Sequence, residues 1–239
     1  DVIGGGRPAR CAGRRLGYRL DMPYADHPIQ GVLIEQLDLS SGQQLLDLGC
    51  GIGGTLLAAS RAVPGLSLIG CDSSPDSLAV ADQLLAGHDA QFRPNDLELP
   101  LPIADGSVDR IVCHNVLECL ADPGALLVEA ARVLRPGGRA VWSHIDCDAF
   151  FLTSPDVELS RRVIQTYAGT QQGWMAHVDA RMGRKLPGLV RHSPLELMGV
   201  RVDTRAATEL EGDALERIEE ITAARRASPD HDLTADDLE

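Results

Sequence analysis

Apolar residues over the first 146 positions alternate between short continuous runs and longer segments with helical spacing. Continuous runs are typical of strands buried in a parallel sheet. Apolar residues three and four positions apart predict amphipathic helices. The predicted strands are 44–49, 66–72, 91–97, the start of 110–120 and 139–146, and the predicted helices are 28–38, 53–63, 75–86 and 123–134.

This strand-then-helix order predicts right-handed crossovers between parallel strands. The expected fold is therefore α/β and Rossmann-like, a doubly wound, mostly parallel sheet with helices on both faces. Pro94 weakens the strand predicted over 91–97, because proline is confined to edge strands and bulges. The run LRPGG at 134–138 is interpreted as turn chemistry that ends the preceding helix.

The pattern changes after residue 146. A helix is predicted from Ser154-Pro155-Asp156 to about residue 170, a strand over 198–210, and a charged helix over 212–227. We expect one domain, 1–239. Its expected parts are a flexible or cofactor-covering segment (1–27), a cofactor-binding core (40–147), a lid-like insertion over the substrate (150–195) and an acidic tail (228–239).

Composition narrows the class of partner. The chain has 239 residues and a formal net charge of −13, which argues against a nucleic-acid backbone as the main partner. No run approaches the roughly 20 apolar residues that a membrane span needs, and no signal peptide is visible, so a cytoplasmic location is expected. The six cysteines show no metal-ligand spacing, and no metal is expected. Cys50, Cys71 and Cys113 lie in apolar runs and are predicted to be buried and reduced.

The stretch LLDLGCGIGG, residues 45–54, predicts a glycine-rich ligand loop. With Asp72 about twenty residues further on, it fits both a dinucleotide site and a site for S-adenosylmethionine. Asp47 favours the second ligand. A carboxylate two residues before Gly49 would repel a pyrophosphate, whereas it suits a cofactor that carries a sulfonium and an ammonium group.

Four stretches together resemble the class I S-adenosylmethionine-dependent methyltransferases: LLDLGCGIGG, LIGCDSS, NDLELPLPIADGSVDRIVCHNVLECLADP and EAARVLRPGGRAVWSHID. They are most similar to the type 11 group, which includes ubiquinone and menaquinone methylases and many natural-product methyltransferases. The resemblance implies S-adenosylmethionine as cofactor and S-adenosylhomocysteine as product. It also implies a sheet that ends in an antiparallel hairpin, so the final C-terminal strand is expected to be missing here.

The resemblance assigns roles residue by residue. The glycines would turn against the methionine part of the cofactor, Asp72 would hold the ribose hydroxyls, Asp96 and Leu97 would contact the adenine, and the segment after the fourth strand would flank the sulfonium. The implied cofactor-binding residues are Asp47, Gly49, Cys50, Gly51, Gly53, Asp72, Ser73, Asn95, Asp96, Leu97, Cys113, His114 and Asn115.

Acid–base candidates are expected beyond the carboxyl ends of the strands, where open α/β sheets bind their ligands. They are His114, at the end of the fourth strand, and His144 with Asp146, at the end of the fifth. The lid is expected to contact substrate through Tyr167, Trp174, His177 and Arg181, with Met175 a further candidate. A basic patch of Arg181, Arg184, Lys185 and Arg191 is a candidate for binding an anionic group.

The predicted function is methyl transfer from S-adenosylmethionine to a small-molecule acceptor, at an oxygen, nitrogen or carbon atom. Three alternatives stay open. They are a protein that binds the cofactor without methyl transfer, a relative that catalyses a cyclisation, and, less favoured, an NAD-dependent oxidoreductase. The sequence leaves the oligomeric state and the acceptor open.

Overall fold

A five-stranded parallel sheet forms the centre of the computed structural model, which describes residues 24–168 and 177–204. The strand order is β3-β2-β1-β4-β5, and all four neighbouring pairs are parallel. This confirms the predicted α/β fold. The strands are β1 (Gln44–Leu48), β2 (Ser67–Asp72), β3 (Ala90–Pro94), β4 (Val108–His114) and β5 (Leu134–Ser143).

Helices follow the strands where the apolar spacing predicts them. The helices are α1 (Pro28–Leu37), α2 (Gly54–Ala62), α3 (Pro75–Leu84), α4 (Pro123–Val133), α5 (Val157–Ala168) and α6 (Met182–Arg191), with short 3-10 turns at Tyr24–Asp26, Leu117–Cys119 and Cys147–Ala149. Capping residues fix two of the starts. The Ser74 side chain accepts the Ser77 N–H at 3.2 Å, and Asp122 accepts the Ala125 N–H at 3.1 Å.

Two apolar layers enclose the sheet because successive strand side chains point to opposite faces. Leu45, Leu68 and Val112 belong to a buried cluster with helices α1 to α3. Leu46 and Ile111 belong to a second buried cluster with α4 and α6. Helices therefore cover both faces, as the doubly wound prediction requires.

Strand β5 starts earlier than predicted. Leu134 pairs with Val108, and the next register pair joins Arg139 to Arg110. The intervening residues form an irregularity in the strand, with Gly137 at a φ of +77°, a conformation that glycine adopts without strain. The LRPGG run thus has turn geometry, but it lies inside the strand rather than before it.

The strand predicted over 198–210 is wrong for its described part, because residues 198–204 form no strand. Met198, Val200 and Val202 are exposed, and Arg201 instead forms an ion pair with Glu35 of α1 at 2.7 Å. Alternating apolar residues predict a strand only where a neighbouring strand supplies a ladder. The rest of that prediction, the helix at 212–227, the tail at 228–239 and the expected missing strand lie outside the described residues.

The strand order places the ligand site. It reverses between β1 and β4, and ligands of open α/β sheets bind at such a switch point, beyond the carboxyl ends of the strands. Within 24–168 and 177–204, the structure contains no helix long and apolar enough to cross a bilayer.

Candidate functional site

The glycine loop lies at the switch point, directly after β1. The backbone N–H groups of Gly49 and Cys50 both donate to the Cys71 carbonyl, at 2.8 and 3.0 Å. Gly49 has a φ of +78°, and a Cβ there would collide with Val116, just beyond β4. Glycine at this position therefore lets the loop after β1 pack closely against the end of β4.

Gly51 and Gly53 turn the chain toward α2. Gly53 precedes α2 at a φ of +83°, so the amino end of the helix follows directly on the loop. A Cβ on Gly51 would meet no atom within 4 Å, so the outer side of the loop is open. An open loop at a helix amino end suits a carboxylate such as that of a bound amino acid.

Asp72 joins the loop to the end of β2. One carboxylate oxygen accepts the Gly51 N–H at 2.9 Å, and the other accepts the Ser74 N–H at 2.9 Å. Ser73, which lies between Asp72 and Ser74 in the sequence, is half-buried. Because a carboxylate oxygen has two lone pairs, each oxygen of Asp72 keeps one for a further donor such as a ribose hydroxyl.

Asp47 lies beneath the loop, with only 3% of its surface exposed. Its neighbours on the adjoining strands are Gly70 and Val112, neither of which has a polar side chain. Burial first, and then the charge of Asp72, raises the pKa of Asp47 to about 8. The site thus disfavours additional negative charge, and a bound cation would favour ionised Asp47.

Cys50, Cys71 and Cys113 are buried, as predicted, and the charge of Asp47 acts on all three thiols. Burial is the main cause that raises the pKa of each thiol, to about 11 for Cys71. Neutral thiols are poor nucleophiles, so these residues are packing groups rather than reactive ones. Among the described residues, no cluster of three or more His, Cys, Asp or Glu side chains is arranged to hold a metal.

The loop after β3 carries the residues expected near an adenine. The Asn95 N–H donates to the Asp72 carbonyl at 2.9 Å, which ties this loop to the ribose side. Within the described part of the chain, Asn95 Oδ1 is buried without a hydrogen-bond partner. Asp96 accepts the Glu98 N–H at 3.1 Å, and Leu97 is buried. An unpartnered acceptor beside this turn is suited to receive a donor from a ligand.

Asn115 organises the end of β4. Its Oδ1 accepts the Ile145 N–H at 3.0 Å, which directs its Nδ2 toward His114 Nε2 at 3.2 Å. Because an amide nitrogen only donates, Nε2 accepts, and Nδ1 of His114 carries the proton that it donates to Ser143 Oγ at 3.1 Å. Asn115 adopts a left-handed backbone (φ +53°) to make these contacts.

His144 is more deeply enclosed than His114, with 2% of its side chain exposed. Its Nδ1 donates to the Ile145 carbonyl at 2.6 Å, so Nε2 is the nitrogen with the lone pair. Nε2 is buried and makes no hydrogen bond with any described residue, although Glu118 Oε2 lies 3.4 Å away. Glu118 is also buried.

Both imidazoles are neutral near pH 7. Burial, followed by the charges of His144 and His27, lowers the pKa of His114 to about 3. Burial also lowers the pKa of His144. A neutral imidazole accepts a proton, but Nε2 of His114 is already engaged by Asn115. Nε2 of His144 is the nitrogen without a hydrogen bond.

Asp146 is engaged in an ion pair with Arg184 of α6. Its two oxygens accept from Nε at 2.5 Å and Nη2 at 2.8 Å of that guanidinium. Burial alone would raise the pKa of Asp146, but the hydrogen bonds and charge of Arg184 outweigh it and lower the pKa. Such a carboxylate is a weak base, so the geometry favours a structural role.

The predicted basic patch is largely neutralised. Arg181 pairs with Asp148 at 3.0 Å, and Lys185 pairs with Asp179. His177 is exposed. Trp174, Met175 and the side chain of Tyr167 lie outside the described residues. Helix α6, within the predicted lid, buries its residues Met182 and Val190 in the core.

Two residues near the candidate site were missed by sequence reasoning, Glu118 and Val116. An acid within the apolar run VLECL is a signal that could have identified Glu118, because acids are rarely buried without a reason. Val116 carries no such signal, since an apolar residue that packs against the core and lies close to Gly49 does not stand out within an apolar run.

The chain matches the family described as "Methyltransferase domain" over residues 46–142. The ubiquinone biosynthesis O-methyltransferase of Xylella fastidiosa strain 9a5c is 30% identical over 181 residues, which cover 74% of this chain and 70% of that protein. An uncharacterized 37.1 kDa protein in transposon TN4556 of Streptomyces fradiae is 40% identical over 134 residues, 55% of this chain and 39% of that protein. The structure of YcgJ from Bacillus subtilis has a TM-score of 0.52 at 22% identity, covering 69% of this chain and 67% of that one.

These comparisons establish the class of protein. The chain belongs to the class I S-adenosylmethionine-dependent methyltransferases, and within them to the type 11 group. The YcgJ structure supports the fold. The chain spans between 39% and 53% of the length of several curated relatives that it matches. The family's cofactor, S-adenosylmethionine, fits the open side of Gly51, the buried acid beneath the loop and the unpartnered Asn95 oxygen.

Proposed function

We propose that this chain binds S-adenosylmethionine and transfers its methyl group to a small-molecule acceptor. The observation that carries the proposal is the pair of acids at the glycine loop, Asp72 bonded to the Gly51 N–H and Asp47 buried beneath. The Asp72 carboxylate attracts a cation, and a cation bound there would in turn favour the ionised form of Asp47. A dinucleotide pyrophosphate would add two negative charges beside them, so an NAD site is disfavoured.

The binding roles follow from the open hydrogen-bonding positions. Asp72 would accept from the ribose hydroxyls with its remaining lone pairs. The amino end of α2 would face the carboxylate of the cofactor's methionine part, and Asp47 would favour its cationic groups. Asn95 and Asp96 would accept from the adenine amino group, with the Leu97 N–H as donor.

When bound, the cofactor supplies an electrophilic methyl group on a sulfonium and leaves as S-adenosylhomocysteine. The chain's main task is then to hold the acceptor in line with the methyl group and exclude water, which can supply several powers of ten in rate. A base is needed only where the acceptor must lose a proton.

We propose His144 as that base. Its neutral Nε2 lacks a hydrogen bond among the described residues, so its lone pair is available for the acceptor's proton. Glu118, 3.4 Å away, would stabilise the imidazolium that forms. Since Nε2 is sealed from solvent, the acceptor reaches it only if the surrounding side chains move. His114 and Asn115 would position the end of β4 beside the sulfonium.

The acceptor is proposed to be a small molecule without a strongly anionic group, because the cations Arg181, Arg184 and Lys185 are already paired with aspartates. Since the Xylella fastidiosa relative is named an O-methyltransferase, oxygen acceptors are the first to test.

The test is a product search by mass spectrometry. The chain is incubated with S-adenosylmethionine and panels of phenols, amines and activated carbon acids, beside Asp72→Ala. A product heavier by one CH₂ that depends on Asp72 supports the proposal. No product in any panel, together with no binding of S-adenosylhomocysteine, contradicts it.

A second candidate function is cofactor binding without methyl transfer. The sealed Nε2 of His144 and the ion-paired Asp146 favour it, because neither base candidate is open to an acceptor. Tight binding of S-adenosylhomocysteine with no product from any panel would support this second function over the first.

A further inference from the structure

A groove separate from the glycine loop runs between α1 and the carboxyl-terminal half of α2. Its volume is about 490 Å³, within the range of small-molecule sites. Its walls include the apolar side chains of Ile34, Ala58 and Ala62. The family's cofactor does not account for this groove, because Gly49, Gly51, Gly53 and Asp72 are not among its lining residues.

Gln30 lines the groove and is buried, with 2% of its surface exposed. Both Oε1 and Nε2 of its side chain are buried without a hydrogen-bond partner among the described residues. It occupies the first position of a buried stripe on α1 that continues with Leu33 and Leu37. A buried amide without partners destabilises a fold, and a leucine or methionine here would pack at no such cost.

Gly31, next along α1, also lines the groove. A Cβ at this position would meet no atom within 4 Å, so packing does not require glycine here. Glycine inside a helix is less stable than alanine. Gln30 and Gly31 thus both lower the stability of α1. Gln30 leaves an amide without hydrogen-bond partners at the groove, and Gly31 leaves space in it.

Charge at the groove is balanced. Asp26 and Arg61, which both line it, pair with each other at 2.9 Å. The two charges of this pair sum to zero, and the Gln30 amide adds one donor group beside one acceptor.

We propose that this groove is a second binding site, for a small neutral molecule that presents an amide-type edge to Gln30. Once the side chains that bury these two atoms move aside, the ligand's C=O would accept from Nε2 while its N–H donates to Oε1, so that both orphaned groups gain partners. Its apolar part would lie against Ile34, Ala58 and Ala62. Ring amides and open-chain primary amides share this edge, because their C=O and one N–H lie on the same side of the C–N bond.

The test is a titration of the isotope-labelled chain, followed by two-dimensional NMR of its amide groups. The probes are uracil, nicotinamide and acetamide, with methyl nicotinate as a matched ester that lacks the N–H. The titrations are run with and without S-adenosylhomocysteine. We expect saturable shifts of the Gln30 side-chain amide with a millimolar Kd from at least one amide, weaker binding of the ester, and no displacement by S-adenosylhomocysteine.

Two variants separate binding from folding. Gln30→Leu should raise Tm, because it removes a buried amide without partners. It should also abolish the ligand-induced shifts of the backbone N–H groups along α1, by which binding is followed in both the wild type and the variants. Gly31→Ala should raise Tm and weaken the amide by at least about fivefold, because its methyl group narrows the groove. Gly188→Ala in α6 is the matched control, since its Cβ also meets nothing within 4 Å and it lies away from the groove. It should leave the amide's affinity unchanged.

Three results would overturn the proposal. They are no saturable shift from any of the three amides, equal affinity in the wild type and Gln30→Leu, and displacement of the amide by S-adenosylhomocysteine. The last would assign the groove to the cofactor. Tighter binding of uracil than of acetamide would favour ring amides as the ligand class, and the reverse would favour open-chain primary amides.

Discussion

The cofactor side and the acceptor side of the candidate site are held together by different kinds of contact. On the cofactor side, most of the hydrogen bonds involve backbone groups. Gly49 and Cys50 donate to the Cys71 carbonyl, and Asp72 accepts two backbone N–H groups. On the acceptor side, charged side chains pair across the chain, as Asp146 does with Arg184 at a separation of 38 residues.

This difference has consequences for chemistry. Backbone contacts fix the loop before any ligand arrives, which is how a preorganised cofactor site works. On the acceptor side, the candidate base His144 is instead buried, with 2% of its side chain exposed. Substitutions on the cofactor side should therefore alter binding, and those on the acceptor side should alter turnover.

Removing the proposed base should have the largest effect. His144→Ala should lower turnover by about 10²–10⁴-fold while leaving S-adenosylhomocysteine affinity nearly unchanged. The comparison is Asp146→Asn, which should lower turnover far less because Asp146 is bound to Arg184. Steady-state rates of both variants with an acceptor found in the product search decide this. Equal losses in the two variants would contradict the assignment.

Neutralising the buried acid should change how stability depends on pH. In the wild type, Asp47 keeps its proton up to a pKa of about 8, whereas the unfolded chain loses it near pH 4. The native state therefore binds more protons across this window, and stability falls as pH rises from about 4 to about 8, by at most roughly 1.4 kcal/mol per pH unit.

Asp47→Asn should remove that dependence. The free energy of unfolding of the variant should therefore increase relative to that of the wild type as pH rises toward 8. Urea unfolding at several pH values measures the difference. Asp82→Asn is the control, since Asp82 is exposed on α3 and its removal should leave the wild-type profile unchanged. Parallel profiles for Asp47→Asn and the wild type would show that the buried acid is not coupled to folding.

Removing the loop's second acid should weaken cofactor binding. Asp72→Ala loses the ribose contacts and the hydrogen bond to Gly51, so S-adenosylhomocysteine affinity should fall by about 1–3 kcal/mol. Calorimetry measures this change. Ser74→Ala is the control, since Ser74 caps α3 with its side chain but contacts Asp72 only through its backbone N–H. An Asp72→Ala variant with wild-type affinity would refute the ribose assignment.

The smallest effect is expected at the rim of the acceptor side. Arg184→Ala breaks exposed ion pairs to Asp146 and Asp148, so Tm should fall by roughly 3 °C or less. Cofactor affinity should not change. A large loss of affinity would mean that the two sides are coupled more tightly than their contacts indicate.

Sequence reasoning succeeded where structure is encoded locally. The Ser74-Pro75-Asp76 start of α3 is a capping signal within three residues, and it caps the helix as expected. Pro94 lies in β3, an edge strand, where proline is tolerated. The spacing of the glycines and Asp72 predicted that these residues lie together, and the structure brings them together.

The acceptor side could not be predicted in the same way, because its contacts join distant residues. Nothing in the sequence near His144 indicates that Glu118 lies 3.4 Å away. The order of charges near Arg184 does not reveal that Asp146 is its partner. The same limit explains why the strand predicted at residues 198–204 does not form. Their alternating apolar residues are typical of a strand, but a strand also needs a neighbouring strand to pair with.

Calorimetric titration of the chain with S-adenosylhomocysteine, with NAD titrated in parallel, decides which cofactor the glycine loop binds. The pair of acids at the glycine loop predicts micromolar binding of S-adenosylhomocysteine and none of NAD. Binding of NAD, or no heat from S-adenosylhomocysteine at about 1 mM, would contradict the claim that this loop is built for a sulfonium cofactor.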